Sequence, residues 1–285
     1  MYYGIVSIAV LMFSVQFFFT DRYEKEMGSG AASTFFYSLL SAIAGGICLF
    51  FVTGINIGVT PFTLIMATAT AANTILFSYF SLKALGKINL SLYSVFSMLG
   101  GMMLPFVAGI VFYNEGITAG KIICIVLVMA ALAFTIDRDG QKGGTLYYIG
   151  IFVLNGMSGV LAKIFDSAPY KTTDAASYSL WTAVIMAVMS GVILLPMLKS
   201  LKKPKISSVF YSFGGGAINQ IANFLLIVAL AVLPASVQYP FITGGVMIAS
   251  TVIAALTGQK PSKREIASVS LSFIGLLVLV LPWLN

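Results

Sequence analysis

Ten long apolar runs, each close to one bilayer crossing in length and joined by short connections, occupy nearly all of the 285 residues. This pattern limits the possible folds more than any motif in the chain. A hydrocarbon core roughly 30 Å thick takes about 20 apolar residues per helical crossing. Hydrophobic residues make up 59% of the chain and charged residues 9%, against about 25% charged in an ordinary soluble domain. A water-soluble fold of this size could not hide so much apolar surface. Almost no chain remains for a soluble domain, so the function belongs inside the membrane.

The crossings are expected as follows. Helix 1 runs from Tyr2 to Thr20, helix 2 from Ala31 to Val52, helix 3 from Pro61 to Leu82, helix 4 from Ile88 to Tyr113 and helix 5 from Ala119 to Ile136. Helix 6 runs from Leu146 to Phe165, helix 7 from Ala175 to Leu198, helix 8 from Ser207 to Leu230, helix 9 from Ala235 to Thr257 and helix 10 from Glu265 to Leu284. A β-barrel would need alternating strands of about 10 residues; these runs are continuous and about twice that length. The first run lacks a basic n-region and is too long for a signal h-region, so it is expected to be retained. Cys48 and Cys124 sit mid-helix, far apart, and read as packed or lipid-facing thiols without a disulfide.

The net charge of +7 could point to an acidic partner such as nucleic acid. Its placement argues otherwise. Thirteen of the 16 Lys and Arg residues fall in the connections after helices 1, 3, 5, 7 and 9; the others are Lys121, Lys163 and Lys171. Lys and Arg mark loops held on the cytoplasmic side. Taken literally, this puts both termini outside and assigns the charge to topology, with no nucleic-acid partner.

Residues 1–140 and 141–285 read as two copies of one five-helix unit. A shift of 145 residues brings Ala84-Leu85 onto Ala229-Leu230, Ser91 onto Ser236, Phe96 onto Phe241 and Gly100 onto Gly245. Ala31-Ala32-Ser33 meets Ala175-Ala176-Ser177 at a shift of 144, and Thr68-Ala69-Thr70 meets Gly214-Gly215-Gly216 at 146. Five crossings per copy is an odd number, so consecutive copies must point in opposite directions, giving an inverted repeat. The expected fold class is an all-α polytopic membrane protein, ten transmembrane helices in two inverted five-helix repeats.

That organisation resembles the drug/metabolite transporter superfamily, in its ten-helix EamA-like branch, over the whole chain. Two local stretches carry the likeness. Asn155-Gly156-Met157-Ser158-Gly159-Val160-Leu161-Ala162-Lys163 is similar to the family's small-residue run leading to a basic residue. Asn114-Glu115-Gly116-Ile117-Thr118 is similar to its Glu-x-x-Thr turn, from which the second copy departs with Gln259-Lys260-Pro261-Ser262. Helix 1 also departs, with Gln16-Phe17 where many members carry Lys. The resemblance implies alternating access, with two halves rocking about a central site. It also implies cytoplasmic termini, against the charge count.

The residues reach a similar expectation independently. Polar groups in hydrocarbon are costly and face a bundle interior or a wet cavity. Here they recur mid-helix as Gln16, Asn73, Asn155, Asn219, Gln220, Asn223 and Gln238. Asn219 and Asn223, four apart, share one helix face, and Asn73 corresponds to Asn219 under the repeat. Helices 4 and 9 carry breakers at Gly100-Gly101, Pro105, Pro240 and Gly244-Gly245, and matched interruptions point to a binding site. Tyr93, Gln238 and Tyr239 precede those breaks. The candidate substrate-binding set is Gln16, Asn73, Tyr93, Asn155, Lys163, Asn219, Asn223, Gln238 and Tyr239. The competing reading is that intramembrane amides only bond neighbouring helices. The runs Ala67–Ala72 and Gly214–Ala217 read as close-packing faces. Lys163 either pairs with Asp166 or a substrate anion, or snorkels to the interface with Asp166 nearby.

With no His in the chain, His-based triads and metal sites are excluded. No carboxylate lies mid-helix for paired-acid proteolysis, or for the cation exchange of the small four-helix exporters of the same superfamily. The expectation is a non-enzymatic secondary transporter without cofactors. It would move a neutral, zwitterionic or weakly anionic metabolite, amino acid-like among others, across the cell membrane. Its partners are the solute and the bilayer, and it would act as a monomer or homodimer. A flippase or exporter of an amphiphile is the nearest alternative, and a membrane scaffold or receptor a more distant one.

Overall fold

A computed structural model describes the backbone of residues 2–28, 30–54, 57–85, 90–134, 145–170, 172–256 and 263–280. Among these, the side chains of 21, 53, 82–85, 90–96, 134, 145, 148, 254, 265 and 280 are not described. The described chain is all helical: α1 (Tyr2–Met27), α2 (Ala31–Thr53), α3 (Pro61–Leu85), α4 (Leu90–Tyr113), α5 (Ala119–Phe134), α6 (Thr145–Asp166), α7 (Ala175–Leu194), α8 (Ile206–Leu230), α9 (Ala235–Leu256) and α10 (Lys263–Val280). A 3-10 turn, Leu195–Ser200, extends α7. Seven of the helices are long and apolar enough to cross a membrane; among the described residues, α4, α5 and α10 supply shorter apolar stretches. The protein is thus an all-helical, multi-pass membrane protein.

Local sequence sets the helix ends. Thr60 accepts from the Thr63 amide at 3.1 Å, and Pro61, which has no N–H to leave unpaired, opens α3. Asp174 caps α7, accepting from the Ser177 amide at 2.7 Å. α4 ends with Asn114 at φ 51°, a left-handed conformation that asparagine tolerates better than most residues. The largest departure from the expected ends is in α1, which continues past Thr20 to Met27. Tyr23 explains it: it is buried against α2, and its hydroxyl donates to the Ser33 carbonyl at 2.7 Å. The expected ends at Ile136 and Leu284, the turn Gln259–Ser262 and the basic residues Lys87, Arg138, Lys142, Lys171 and Lys260 lie outside the described residues.

Each half packs mostly on the other. α1 lies on α8 and α9, α2 on α7 and α8, α3 on α6 and α7, and α4 on α6 and α9; α5 lies on α10. The hydrophobic effect does little for helices already surrounded by lipid, so small residues and close backbone approach set these contacts. α4 and α6 cross at Gly100 and Gly156: a Cβ on Gly156 would run into the Gly100 carbonyl and Leu104. In the Gly214–Ala217 run, Gly216 lies against the backbone of Ser41, as expected for a packing face. Large apolar side chains cover the perimeter, among them Phe51, Phe112 and Leu256, each at least 75% exposed. So much open apolar surface is expected against hydrocarbon, not water.

Candidate functional site

The most concentrated chemistry lies where α4 ends, α6 nears its C-terminus and α9 begins. Gly109 lets the chain after α4 fold back, because any Cβ there would strike the Glu115 carboxylate. The Glu115 amide donates to the Gly109 carbonyl at 3.0 Å. Its carboxylate then accepts from the first two amides of α9, Ala235 N–H at 2.9 Å and Ser236 N–H at 2.8 Å. These are otherwise unsatisfied donors at the positive end of a helix dipole. Lys163 of α6 places its Nζ 3.2 Å from Glu115 Oε1, with both side chains about a tenth exposed, and 5.5 Å from the Tyr113 ring centroid. Burial alone would raise the Glu115 carboxyl. Hydrogen bonds from Ser236 and Ala235 and the Lys163 ammonium outweigh it and hold the group below the ordinary glutamate range.

Of the readings open for Lys163, direct pairing with Asp166 is therefore corrected. Among the described residues its ion-pair partner is Glu115, while Asp166 acts on it only through longer-range attraction. Glu115 wins because its loop position lets it reach both Lys163 and the start of α9. The sequence singled out Glu115 in the Glu-x-x-Thr turn without placing it in the site. Its partners are 48 and about 120 residues away, and nothing local announces them.

The other candidates fall into two groups. Around α6, Asn73 Nδ2 donates to the Leu154 carbonyl and Ser158 Oγ, each at 2.9 Å. Asn155 Nδ2 donates to the Ser97 carbonyl of α4 at 2.6 Å. The Tyr239 hydroxyl donates to the Gly159 carbonyl at 3.1 Å. Asn73, Asn155, Lys163 and Tyr239 thus meet along one stretch of α6, from Leu154 to Lys163. Nearby, Phe165 stacks on Tyr178 with centroids 4.0 Å apart, and Tyr178 bonds Thr70 at 2.7 Å. The sequence reading did not single out this aromatic pair.

The second group belongs to α1, α2 and α8. Gln16 Nε2 donates to Thr20 Oγ1 at 2.8 Å along its own helix, and Thr20 bonds the Tyr37 hydroxyl of α2 at 2.9 Å. Asn223 Nδ2 donates to the carbonyl and Oδ1 of Asn219 at 2.9 and 3.1 Å. Both amides are partly exposed, and this bond leaves Asn219 Nδ2 and Asn223 Oδ1 unused by any described residue. Gln238 stands apart: fully buried, it donates to the Leu226 carbonyl at 2.9 Å, and its Oε1 has no partner among the described residues. The side chain of Tyr93 lies outside the described residues.

At the opposite end of the bundle, Glu26 closes α1 onto the start of α8. Its carboxylate accepts from the Ser207 and Ser208 hydroxyls, and its carbonyl from Lys202 Nζ at 2.6 Å. A carboxylate of residues 1–140 therefore holds the first turn of a helix from residues 141–285 at each end.

No family model and no curated protein matches the sequence. Among solved structures, one described as "Crystal structure of protein" superposes with a TM-score of 0.76 at 14% identity, over 97% of this chain and 95% of that one. At that identity the similarity is one of fold alone.

Proposed function

We propose that this protein is a ten-helix secondary transporter of the drug/metabolite type. It would carry a small neutral or zwitterionic metabolite across the cell membrane by alternating access between two inverted five-helix halves. The observation that carries the reading is the packing pattern. Moving each helix five places along the chain turns the main contacts between halves into one another: α1 on α8 becomes α6 on α3, α4 on α6 becomes α9 on α1, α2 on α8 becomes α7 on α3, while α2 on α7, α4 on α9 and α5 on α10 map onto themselves; within the halves, α9 lies broadly on α10 where α4 touches α5 only slightly. Gly100 abuts Phe152 of α6, and its counterpart Gly245 abuts Val10 of α1. Two interleaved halves of this kind are the framework on which one half rocks against the other.

Two further observations support it. Partly exposed amides with unused hydrogen-bonding capacity, Asn219 and Asn223, sit within a membrane helix, where lipid cannot satisfy them. The Glu115 and Glu26 clusters join the halves at opposite ends, as ties that must alternate if access alternates. The Lys163–Glu115 pair also bears on the substrate. Lys163 is already neutralised by Glu115, so it does not stand as a free charge for a substrate carboxylate or phosphate, and a solute of no net charge fits it better. A thermal-shift screen of metabolites on the purified protein tests the reading, because stabilisation follows ligand occupancy. A hit among amino acid-like or other small solutes, reproduced as uptake in vesicles, supports it. Stabilisation by amphiphiles alone would favour the flippase, and no hit with no flux would favour the scaffold.

A further inference from the structure

The end of α7 carries a second feature unrelated to solute transport. Its 3-10 turn, with Pro196 near the start and Lys199 near the end, leads into a connection holding Lys202, Lys203 and Lys205, and all four lysines are exposed. Met197 and Leu201 pack inward against the cluster of Ala32, Phe35, Ile75 and Leu194, which pins the turn. Leu195 and Leu198 point the other way, 65% and 50% exposed. Beside them runs an apolar groove of about 400 Å³, lined by Leu39 of α2 and by Ala187, Gly191, Val192, Leu195 and Leu198. The groove exists because Ala187 and Gly191 are small; a Cβ on Gly191 would lie 3.8 Å from Leu39 Cδ1.

We propose that this groove and the adjoining lysines bind one anionic phospholipid, with an acyl chain in the groove and its phosphate against Lys199 and Lys203. Length is the first argument. From Ala187 to Leu198 the helix and turn advance roughly 18 Å, and half of a hydrocarbon core is roughly 15 Å. The groove therefore spans one leaflet and ends where the lysines begin, at headgroup depth. Charge is the second. Lys202 is held by the Glu26 carbonyl, and Lys205 is within electrostatic reach of the Glu26 carboxylate. Among the described residues, Lys199 and Lys203 have no carboxylate partner. Two cations without a carboxylate partner among the described residues, at the mouth of an apolar slot, match the two ends of an anionic lipid. A soluble anion would use only the lysines, and a zwitterionic lipid would gain little from them.

The test is native mass spectrometry of the detergent-solubilised protein titrated with phosphatidylglycerol or phosphatidylcholine of identical acyl chains, with inorganic phosphate as competitor. One phosphatidylglycerol should be retained in preference to phosphatidylcholine and should resist millimolar phosphate. Lys199→Gln/Lys203→Gln should weaken phosphatidylglycerol about tenfold, since each juxtamembrane lysine adds several-fold affinity for an anionic surface. It should also abolish the preference. Gly191→Leu should weaken both lipids; if that variant does not fold, Val192→Trp, on the exposed wall, replaces it. Equal retention of the two lipids by the native protein overturns the proposal. So does an unchanged preference in the double-lysine variant, displacement by phosphate, or unchanged retention when the groove is filled.

Discussion

Glu115 combines three roles that its neighbours in sequence do not reveal: it caps α9, neutralises Lys163 and folds back over Gly109. Removing the carboxylate leaves a cation and two amides without partners, which costs more than removing the cation. Glu115→Ala should therefore lower stability by about 3 kcal/mol. Lys163→Met, which leaves the carboxylate on the two α9 amides, should cost roughly 1–2 kcal/mol. Melting of the purified protein checks the order. The pH dependence has a definite sign. A carboxyl held below its ordinary value contributes stability that is fully present above about pH 4.3 and lost as pH falls further toward the lowered value. Glu115→Gln should reduce the acid-side loss in melting scans between about pH 5 and pH 3, leaving the part that belongs to Glu26, whose carboxyl the Ser208 and Ser207 hydroxyls also hold low. The amides divide in a similar way. Asn73 has two partners on α6, so Asn73→Leu should lower the melting temperature and leave any ligand-dependent shift in place. Among the described residues Asn219 accepts only from Asn223 on its own helix, so Asn219→Leu should leave basal melting nearly unchanged and remove the ligand-dependent shift. The sequence marked both residues as costly in lipid but could not separate them, because the difference lies in what another helix presents opposite each one.

Helix existence and order were legible in the sequence because run length is a direct consequence of bilayer thickness, and every described helix lies within an expected run or overlaps it. What was not legible is how the helices pair. Membrane helices are apolar nearly all round, so no amphipathic stripe in α3 or α7 announces the face that meets a neighbour. The small residues gave the better signal: Gly100 and Gly156, noted as a breaker and as part of a family-like run, prove to be the α4–α6 crossing point. Gly156→Val should force that crossing apart, because the new Cβ meets backbone and not a movable side chain end. The expected result is a large fall in the monodisperse fraction on size exclusion, with Gly4→Val, at a position with open space around it, as the harmless control. Equal yields for the two variants would contradict the close crossing. The extension of α1 to Met27 was missed for a related reason. Asp21, Arg22, Glu24 and Lys25 look like a loop by composition, yet Tyr23 and Met27 turn inward on the same helix face and are buried.

At the scale of the whole molecule, the proposal makes a demand on both ends of the bundle. The start of α9 is sealed in this conformation: Ser236 is fully buried while its amide holds Glu115. If the halves rock, that seal must open on the face that carries the termini, while the Lys199–Lys205 connection stays on the other. The sequence count assigns thirteen of 16 basic residues to connections expected on the latter side, so Ser200→Cys in intact cells should resist an impermeant thiol reagent and react once the cells are opened. Ser236→Cys, read against a background in which Cys48 and Cys124 are replaced, should behave oppositely. It should react slowly from outside, and faster when Glu115→Gln loosens the tie or when a transported solute drives cycling. The rate matters more than the endpoint, because a state populated at a few per cent still labels in time, with a rate proportional to its population. A reaction at Ser236→Cys that neither Glu115→Gln nor any transported solute accelerates would mean that the Glu115 cluster is permanent scaffolding, and the moving seam would then have to lie elsewhere in the bundle.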